Sequence, residues 1–316
     1  DRISTGWLYC ILCGGSNIEE IVNETRGSAG QTNISLSQCR DFVFPVPSIE
    51  EQTELVRRVG KLFTIADRLQ AKFENASNQV ERLTPSLLAK AFRGELVPQD
   101  PNDEPAEKLL SAHAELPEGH VRRRKIMKCA PITSKADLFP DLPSSWDYAD
   151  IQTLYDLNLI VDYADGNHGS LYPRSIEFGD TGVKFVTARD VANGRVSWDG
   201  CALLNEDRAH QLTKGWAQGG DVLLTHNATV GRVAIVEPEA GKFLLGTSVT
   251  FYRLNEKFID PGYFYIVLCS PTWQGQLEAI MEQTTRNQVS IQKQAFFRVP
   301  IAPFAEQRRI VAKVEQ

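Results

Sequence analysis

Four short stretches gather side chains that can read hydrogen-bonding patterns: DGNHGSLYPR (165–174), TARDVANGR (187–195), THNATVGR (225–232) and TTRNQ (284–288). Arginine, asparagine, glutamine and histidine match the donor and acceptor edges that bases present in a major groove, while threonine hydroxyls and backbone amides suit phosphates. The residues such chemistry would use are Asn167, His168, Arg174, Arg189, Asn227, Arg232, Arg286, Asn287 and Gln288, with the arginines as phosphate or guanine contacts. Each stretch taken singly reads as a turn; four together bring the binding reading level with it.

Bond-making chemistry is poorly represented. The region around these stretches has neither a G-x-x-x-x-G-K-[ST] loop nor a G-x-G-x-x-G fingerprint to cradle phosphates. His168 and His226 lack an H-x-x-x-H partner, so no metal site is expected. Glu177, Asp180 and Lys184 loosely resemble a metal-dependent nuclease cluster, but that spacing is common by chance and Gly-rich turns account for it. The six cysteines include one C-x-x-C, Cys10 and Cys13, without a second ligand pair, and read as reduced structural thiols.

The elements that would carry the polar stretches lie between residues 141 and 303. Short β-rich runs such as GVKFVTARDV, GDVLLTHNATVGRVAIVE and FLLGTSVTFYRL alternate with turn signals, then give way to the helical GYFYIVLCSPTWQGQLEAIMEQ. That mixture predicts an α/β domain with a mainly antiparallel sheet. At 316 residues the chain has room for about two domains. An apolar fraction of 42% places it among globular proteins. No run reaches the ~18 apolar residues of a membrane span, and the first residues have no signal-peptide pattern and no Met, so a cytoplasmic piece of a longer protein is expected. A net charge of -6 argues against coating nucleic acid by charge alone, yet leaves room for specific contacts by a few arginines.

A long-period repeat organises the rest. PVPSIEEQTELVRRV (45–59) returns as PIAPFAEQRRIVAKV (300–314), aligning Glu51-Gln52 with Glu306-Gln307, and GWLYCILC (6–13) lies over GYFYIVLC (262–269) after a one-residue shift. A period of about 255 residues is far too long for a solenoid, so each unit is a domain plus a connector. The expected partition is the tail of a first domain (1–49), a helical connector (50–100), a linker (101–140), a complete second domain (141–303) and the start of a second connector (304–316).

In the first connector, Leu55, Val59, Leu62, Ala66, Leu69, Phe73, Ala76, Val80, Leu83 and Leu87 follow at alternating spacings of four and three. This a/d seam of a coiled-coil-type helix needs another helix to cover it, from the second copy that opens with Ile310 and Val314 or from a second chain. The alternative is an ordinary amphipathic helix packed on the second domain. Ser48, three residues before Glu51, supplies a capping-box start. Thr84-Pro85 reads as a break, giving a first helix about 50 Å long. Gly94 then closes a short second helix. Arg122, Arg123, Arg124, Lys125 and Lys128 cluster in the linker, as a solvated run or a phosphate or partner contact.

The duplicated phrase PVPSIEEQTELVRRV, the LLAKAFRGELVPQDPNDEPAEKLL segment and the LPSSWDYADI run together resemble the specificity subunit of type I restriction-modification enzymes, and GDVLLTHNATVGRVAIV and RNQVSIQKQAFFRVPIAPFAEQRRIV look like parts of that family's target-recognition domains. The resemblance implies two target-recognition domains, each reading one half of a split site in double-stranded DNA, with paired helices as a ruler and as docking surfaces for methyltransferase subunits. It implies no cofactor in this chain: S-adenosylmethionine belongs to the methyltransferase partner, and ATP and Mg to the restriction partner. Readings from other classes are a helical assembly scaffold without DNA readout and, on the Glu177 cluster, a metal-dependent nuclease.

Overall fold

A computed structural model describes residues 2–14, 40, 43–112, 138–167, 169, 172–282 and 287–315. The basic cluster at 122–128, His168 and Arg286 lie outside the described residues, as does the side chain of Val80. The chain divides into two compact units, Asp1–Glu81 and Arg82–Gln316.

The first unit contains helix α1 (Thr5–Gly14), an extended segment at 43–48 and the beginning of α2 (Ile49–Ala91). Ser48 and Glu51 form the expected capping box, with Glu51 N donating to Ser48 Oγ at 3.2 Å and Ser48 N to Glu51 Oε2 at 3.3 Å. The break expected at Thr84-Pro85 is absent: α2 is one helix of 43 residues, about 65 Å at ~1.5 Å per residue. A proline forfeits one backbone bond, and the helix end beyond it supplies compensation. Leu88, Ala91 and Phe92 are buried in the second unit's core. Gly94, at φ 69°, terminates the helix as Glu95 N donates to Lys90 O at 3.0 Å.

In the second unit the chain continues through α3 (Ala106–Ala112), β1 (Asp147–Asp150), α4 (Ile151–Asp156) and β2 (Ile160–Asp165). Next come β3 (Phe178–Gly179), β4 (Val183–Val186), β5 (Val191–Ala192), β6 (Arg195–Val196), β7 (Ala202–Leu204), α5 (Glu206–Gln211) and β8 (Trp216–Gln218). β9 (Val222–Asn227), β10 (Thr229–Ile235), β11 (Lys242–Leu245) and β12 (Val249–Leu254) complete the main sheets. α6 (Pro261–Cys269), α7 (Pro271–Met281), α8 (Ile291–Gln294), β13 (Arg298–Ile301) and α9 (Phe304–Val314) follow.

A four-stranded antiparallel sheet, ordered β10-β9-β12-β2, is the middle layer. Strand β9 is buried on both faces because it has a layer on each side. Val222 and Leu224 join the aromatic core under α6 and α7 with Tyr252, Phe264, Trp273 and Phe297, while Leu223 faces Phe243, Leu245 and Phe251. The second face packs on a five-stranded sheet, β3-β7-β4-β11-β8, whose one parallel pair is β4 with β11. The fold is thus mixed, with helices and a mainly antiparallel sheet arrangement, as the alternating runs predict. β13 pairs with β1, so the approach to the second E-Q phrase is tied to the strand that leads into α4 of the same unit.

Candidate nucleic-acid interface

The tip of the β9–β10 hairpin is the best-defined polar assembly. Asn227 and Thr229 face each other across Ala228, which turns the chain with φ 60°. Such a left-handed turn strains a side-chain-bearing residue, and a third segment braces it. Ala228 N donates to Asn287 O at 3.0 Å, Val289 N donates to His226 O at 2.9 Å, and Asn227 bridges Gln288. Asn227 from one polar stretch and Asn287 and Gln288 from another therefore sit together.

Farther along the hairpin the pairing register shifts between Val230 and Val233, a bulge that re-aims the intervening residues. Gly231 occupies it at φ 93°, against Gln274 of α7, whose Nε2 donates to Gly231 O at 3.0 Å and Leu268 O at 2.7 Å. Only glycine adopts that backbone freely, and a Cβ would collide with the Gln274 side chain. Arg232, next in line, is exposed; its N–H donates to Thr225 Oγ1 at 3.0 Å and its guanidinium reaches Val191 O at 3.5 Å. That contact brings it alongside the turn holding the exposed Arg189. Asp190 turns inward there, accepting from Thr187 N and Oγ1 at 2.7 and 2.8 Å. Among the described residues neither arginine is in a salt bridge.

Two predicted residues lie elsewhere. Asn167 is 1% exposed; its amide donates to Lys214 O at 3.0 Å and it bridges Gly246, tying two loops together. Arg174 is exposed before the β3 edge strand, with its N–H donating to Glu177 Oε2 at 2.6 Å. Glu177 also pairs with Arg208 at 3.2 Å, and Lys184 lies 4.6 Å over the Trp198 ring, so the Glu177, Asp180 and Lys184 trio has two members engaged apart. Among the described residues no group of His, Cys, Asp or Glu is arranged to hold a metal. The positioning residues Gln274 and Gly231 escape sequence reasoning; the glycine within an alternating run was the available signal.

The connector face is also laid out. Leu62, Leu69, Phe73 and Leu83 are each more than 60% exposed along α2, Leu55 is 38% exposed and Val59 half-buried. Among the described helices none is long and apolar enough to cross a membrane.

The two copies of the repeated phrase adopt one structure. α1 and α6 begin at equivalent positions, as do α2 and α9, and Trp7 Nε1 donates to Pro45 O at 3.1 Å where Tyr263 Oη donates to Pro300 O at 2.8 Å. The chain is 39% identical over 99 residues to the type I restriction enzyme StySPI specificity subunit of Salmonella potsdam, covering 31% of this chain and 21% of that protein. Over 93% of its length it is 22% identical to the EcoAI specificity subunit of Escherichia coli, covering 56% of that protein. The chain is thus similar to type I restriction enzyme specificity subunits over nearly its whole length. It spans little more than half the length of the relatives that it matches over nearly all of its own length. A solved chain described under "Structural basis underlying complex assembly and conformational transition of the type I R-M system" shares the fold, with a TM-score of 0.54, 17% identity and coverage of 98% of this chain and 62% of that one. No family model matches the chain.

Proposed function

We propose that this specificity-subunit relative is a non-catalytic DNA-reading subunit, in which residues 141–303 recognise one half of a split duplex target and α2 serves as spacer and assembly helix. The observation that carries this reading is the braced tip: Asn227, Asn287 and Gln288 gathered at one hairpin end, with Arg189 and Arg232 exposed behind it. A two-stranded ribbon fits a major groove, amides on its tip suit base edges, and exposed guanidinium groups suit phosphate or guanine. His168, Arg174 and Arg286 are further candidate contacts on the strength of their side-chain chemistry, whereas buried Asn167 ties loops together inside the domain. Residues 1–49 then belong to a first recognition domain, 50–100 and 304–316 to the two spacers, and 101–140 to a linker.

The exposed Leu55, Leu62, Leu69, Phe73 and Leu83, with half-buried Val59 between them and Val80 at the same heptad spacing in the sequence, support a helical partner, the second spacer or another copy of the chain. Methyltransferase subunits carrying S-adenosylmethionine, and restriction subunits using ATP and Mg, are the catalytic partners in a cytoplasmic assembly.

Fluorescence anisotropy on duplex libraries at several salt concentrations, with methyltransferase subunits present, tests the proposal. Gln288→Ala or Asn287→Ala should cost about 1–3 kcal/mol of discrimination at one base position. Arg232→Ala, if Arg232 contacts phosphate, should weaken all sequences alike and lower the salt slope by about 1. Absence of salt-sensitive duplex binding would leave only the scaffold reading.

A further inference from the structure

The repeated phrase contains a polar residue that no DNA-reading argument uses and that is wholly buried in both copies: Gln52 and Gln307, each 0% exposed. Their amides do the same work. Gln52 Oε1 accepts from Ser4 N at 2.8 Å, and Nε2 donates to Arg2 O and Pro47 O, both at 2.9 Å. Gln307 Oε1 accepts from Asp260 N at 3.0 Å, and Nε2 donates to Phe258 O at 3.3 Å and Ala302 O at 2.9 Å. Both amide protons and the oxygen are thus engaged, on three chain segments at once: the lead into α1 or α6, the extended run before the connector, and the connector helix that carries the glutamine. A buried backbone group is costly to leave unpaired, so each amide restrains the geometry of all three.

The packing around each brace is duplicated as well. A Cβ on Gly6 would lie 3.1 Å from Val56 Cγ1, and one on Gly262 would lie 3.0 Å from Val311 Cγ1, so each glycine lets its helix approach the connector closely. Ser4 Oγ caps Trp7 N at 3.2 Å, and Asp260 Oδ1 caps Tyr263 N at 3.2 Å. The joint is the same hydrogen-bonded unit twice, built from different side chains at most other positions.

We propose, on the reading given above, that Gln52 and Gln307 are positioning residues which hold the angle at which each spacer helix leaves its recognition domain and thereby determine the half-site spacing the protein accepts. Leverage supports it. On a helix of about 65 Å, a change of about 3° at the joint moves the far end by about 3.4 Å, the rise of one base-pair step. Glu306 adds bonds to Trp146 and Gln99 at the second joint, whereas Glu51 serves only the cap of its own helix. Spacing is therefore more sensitive to Gln52 than to Gln307.

The test measures binding of the full-length protein, with its methyltransferase subunits, to duplexes carrying both half-sites, first identified by mapping methylated adenines. The spacer is kept native or changed by one base pair in either direction. Gln52→Met should reduce discrimination between native and altered spacers by about tenfold while leaving affinity for a lone half-site unchanged, and Gln307→Met should do so more weakly. Trp7→Phe, which keeps a ring and removes one bond of the same joint, should shift the profile in the same direction and decides the matter if Gln52→Met does not fold. An equal loss at every spacing, or an unchanged spacing preference, overturns the proposal. Failure of the unaltered protein to bind any duplex overturns the DNA-reading function itself, and with it this inference.

Discussion

The two copies of the joint share their glutamine and differ in their glutamate. In the first unit Glu51 is exposed and completes a capping box with Ser48. In the second, Pro303 stands where Ser48 does and makes no side-chain cap bond, so the carboxylate of Glu306 turns elsewhere. It accepts from Trp146 Nε1 at 2.9 Å and from Gln99 Nε2, and is 1% exposed. Gln99 follows the end of α2 and Trp146 immediately precedes β1, so this glutamate ties those two stretches of the chain together. A single repeated letter therefore has two uses. The glutamine, whose partners are all backbone, works the same way in any copy; the glutamate depends on which side chains pass nearby.

The largest expected effect separates the two glutamates. Glu306→Ala leaves a buried indole N–H and a glutamine amide without their acceptor and should cost about 3 kcal/mol in urea unfolding of the chain. Glu51→Ala should be felt only in hydrogen exchange at the first turn of α2. Comparable losses from the two would erase the distinction. Acidity sharpens it further. Burial raises the Glu306 carboxyl above the ordinary carboxylate range, with the Trp146 and Gln99 bonds opposing. The folded state thus holds this proton more tightly than the unfolded state does. Its contribution is complete below the unfolded value of about 4.3 and is lost as pH rises through the raised one. Relative to Glu306→Gln, the unaltered protein should be favoured more at pH values below that window than at neutrality, and a difference independent of pH would contradict the burial argument.

The ring positions should differ less. Tyr263 is 0% exposed and its hydroxyl donates to Pro300 O, so Tyr263→Phe should cost about 1–1.5 kcal/mol in the same unfolding assay. Trp7, half-buried, makes the matching bond to Pro45 O in a wetter setting, and Trp7→Phe should cost less than half as much. An equal or reversed pair of values would show that burial does not distinguish the joints.

Much of this organisation is written in local patterns. The phrase at 45–59 and its copy, the Ser48–Glu51 box and the alternating spacing from Leu55 onward each depend on residues near one another in the chain, and these features are legible. Pro85 misleads because its cost is local whereas the burial of Leu88, Ala91 and Phe92 that outweighs it is not. A polar residue in a Gly-rich turn reads the same whether its amide faces solvent or protein, and Asn167 bonds a carbonyl 47 residues away. The gathering of Asn227 with Gln288, and the brace of Gln274 on Gly231, depend on strand order and layer packing, which no spacing encodes. Gln52 and Gln307 were visible as half of a repeated E-Q pair, but helix-capping logic draws attention to the glutamate and passes over the amide beside it.

The smallest effect probes the two helix starts. Ser48 supplies an oxygen to the Glu51 N–H, and replacing a serine N-cap by alanine ordinarily costs about 1 kcal/mol. Ser48→Ala should therefore increase fraying of the first turn of α2, read as faster hydrogen exchange at Glu51 and Gln52. Pro303 gives α9 no side-chain acceptor, and its role is to hold an extended backbone at φ -48° before the helix. Pro303→Ala should change stability by less than about 0.5 kcal/mol. The helix start in the second unit is held from outside, by β13 pairing and by Glu306, whereas that in the first holds itself. If Pro303→Ala frayed α9 as much as Ser48→Ala frays α2, the second joint would owe its order to proline stiffness and the difference between the glutamates would lose its explanation.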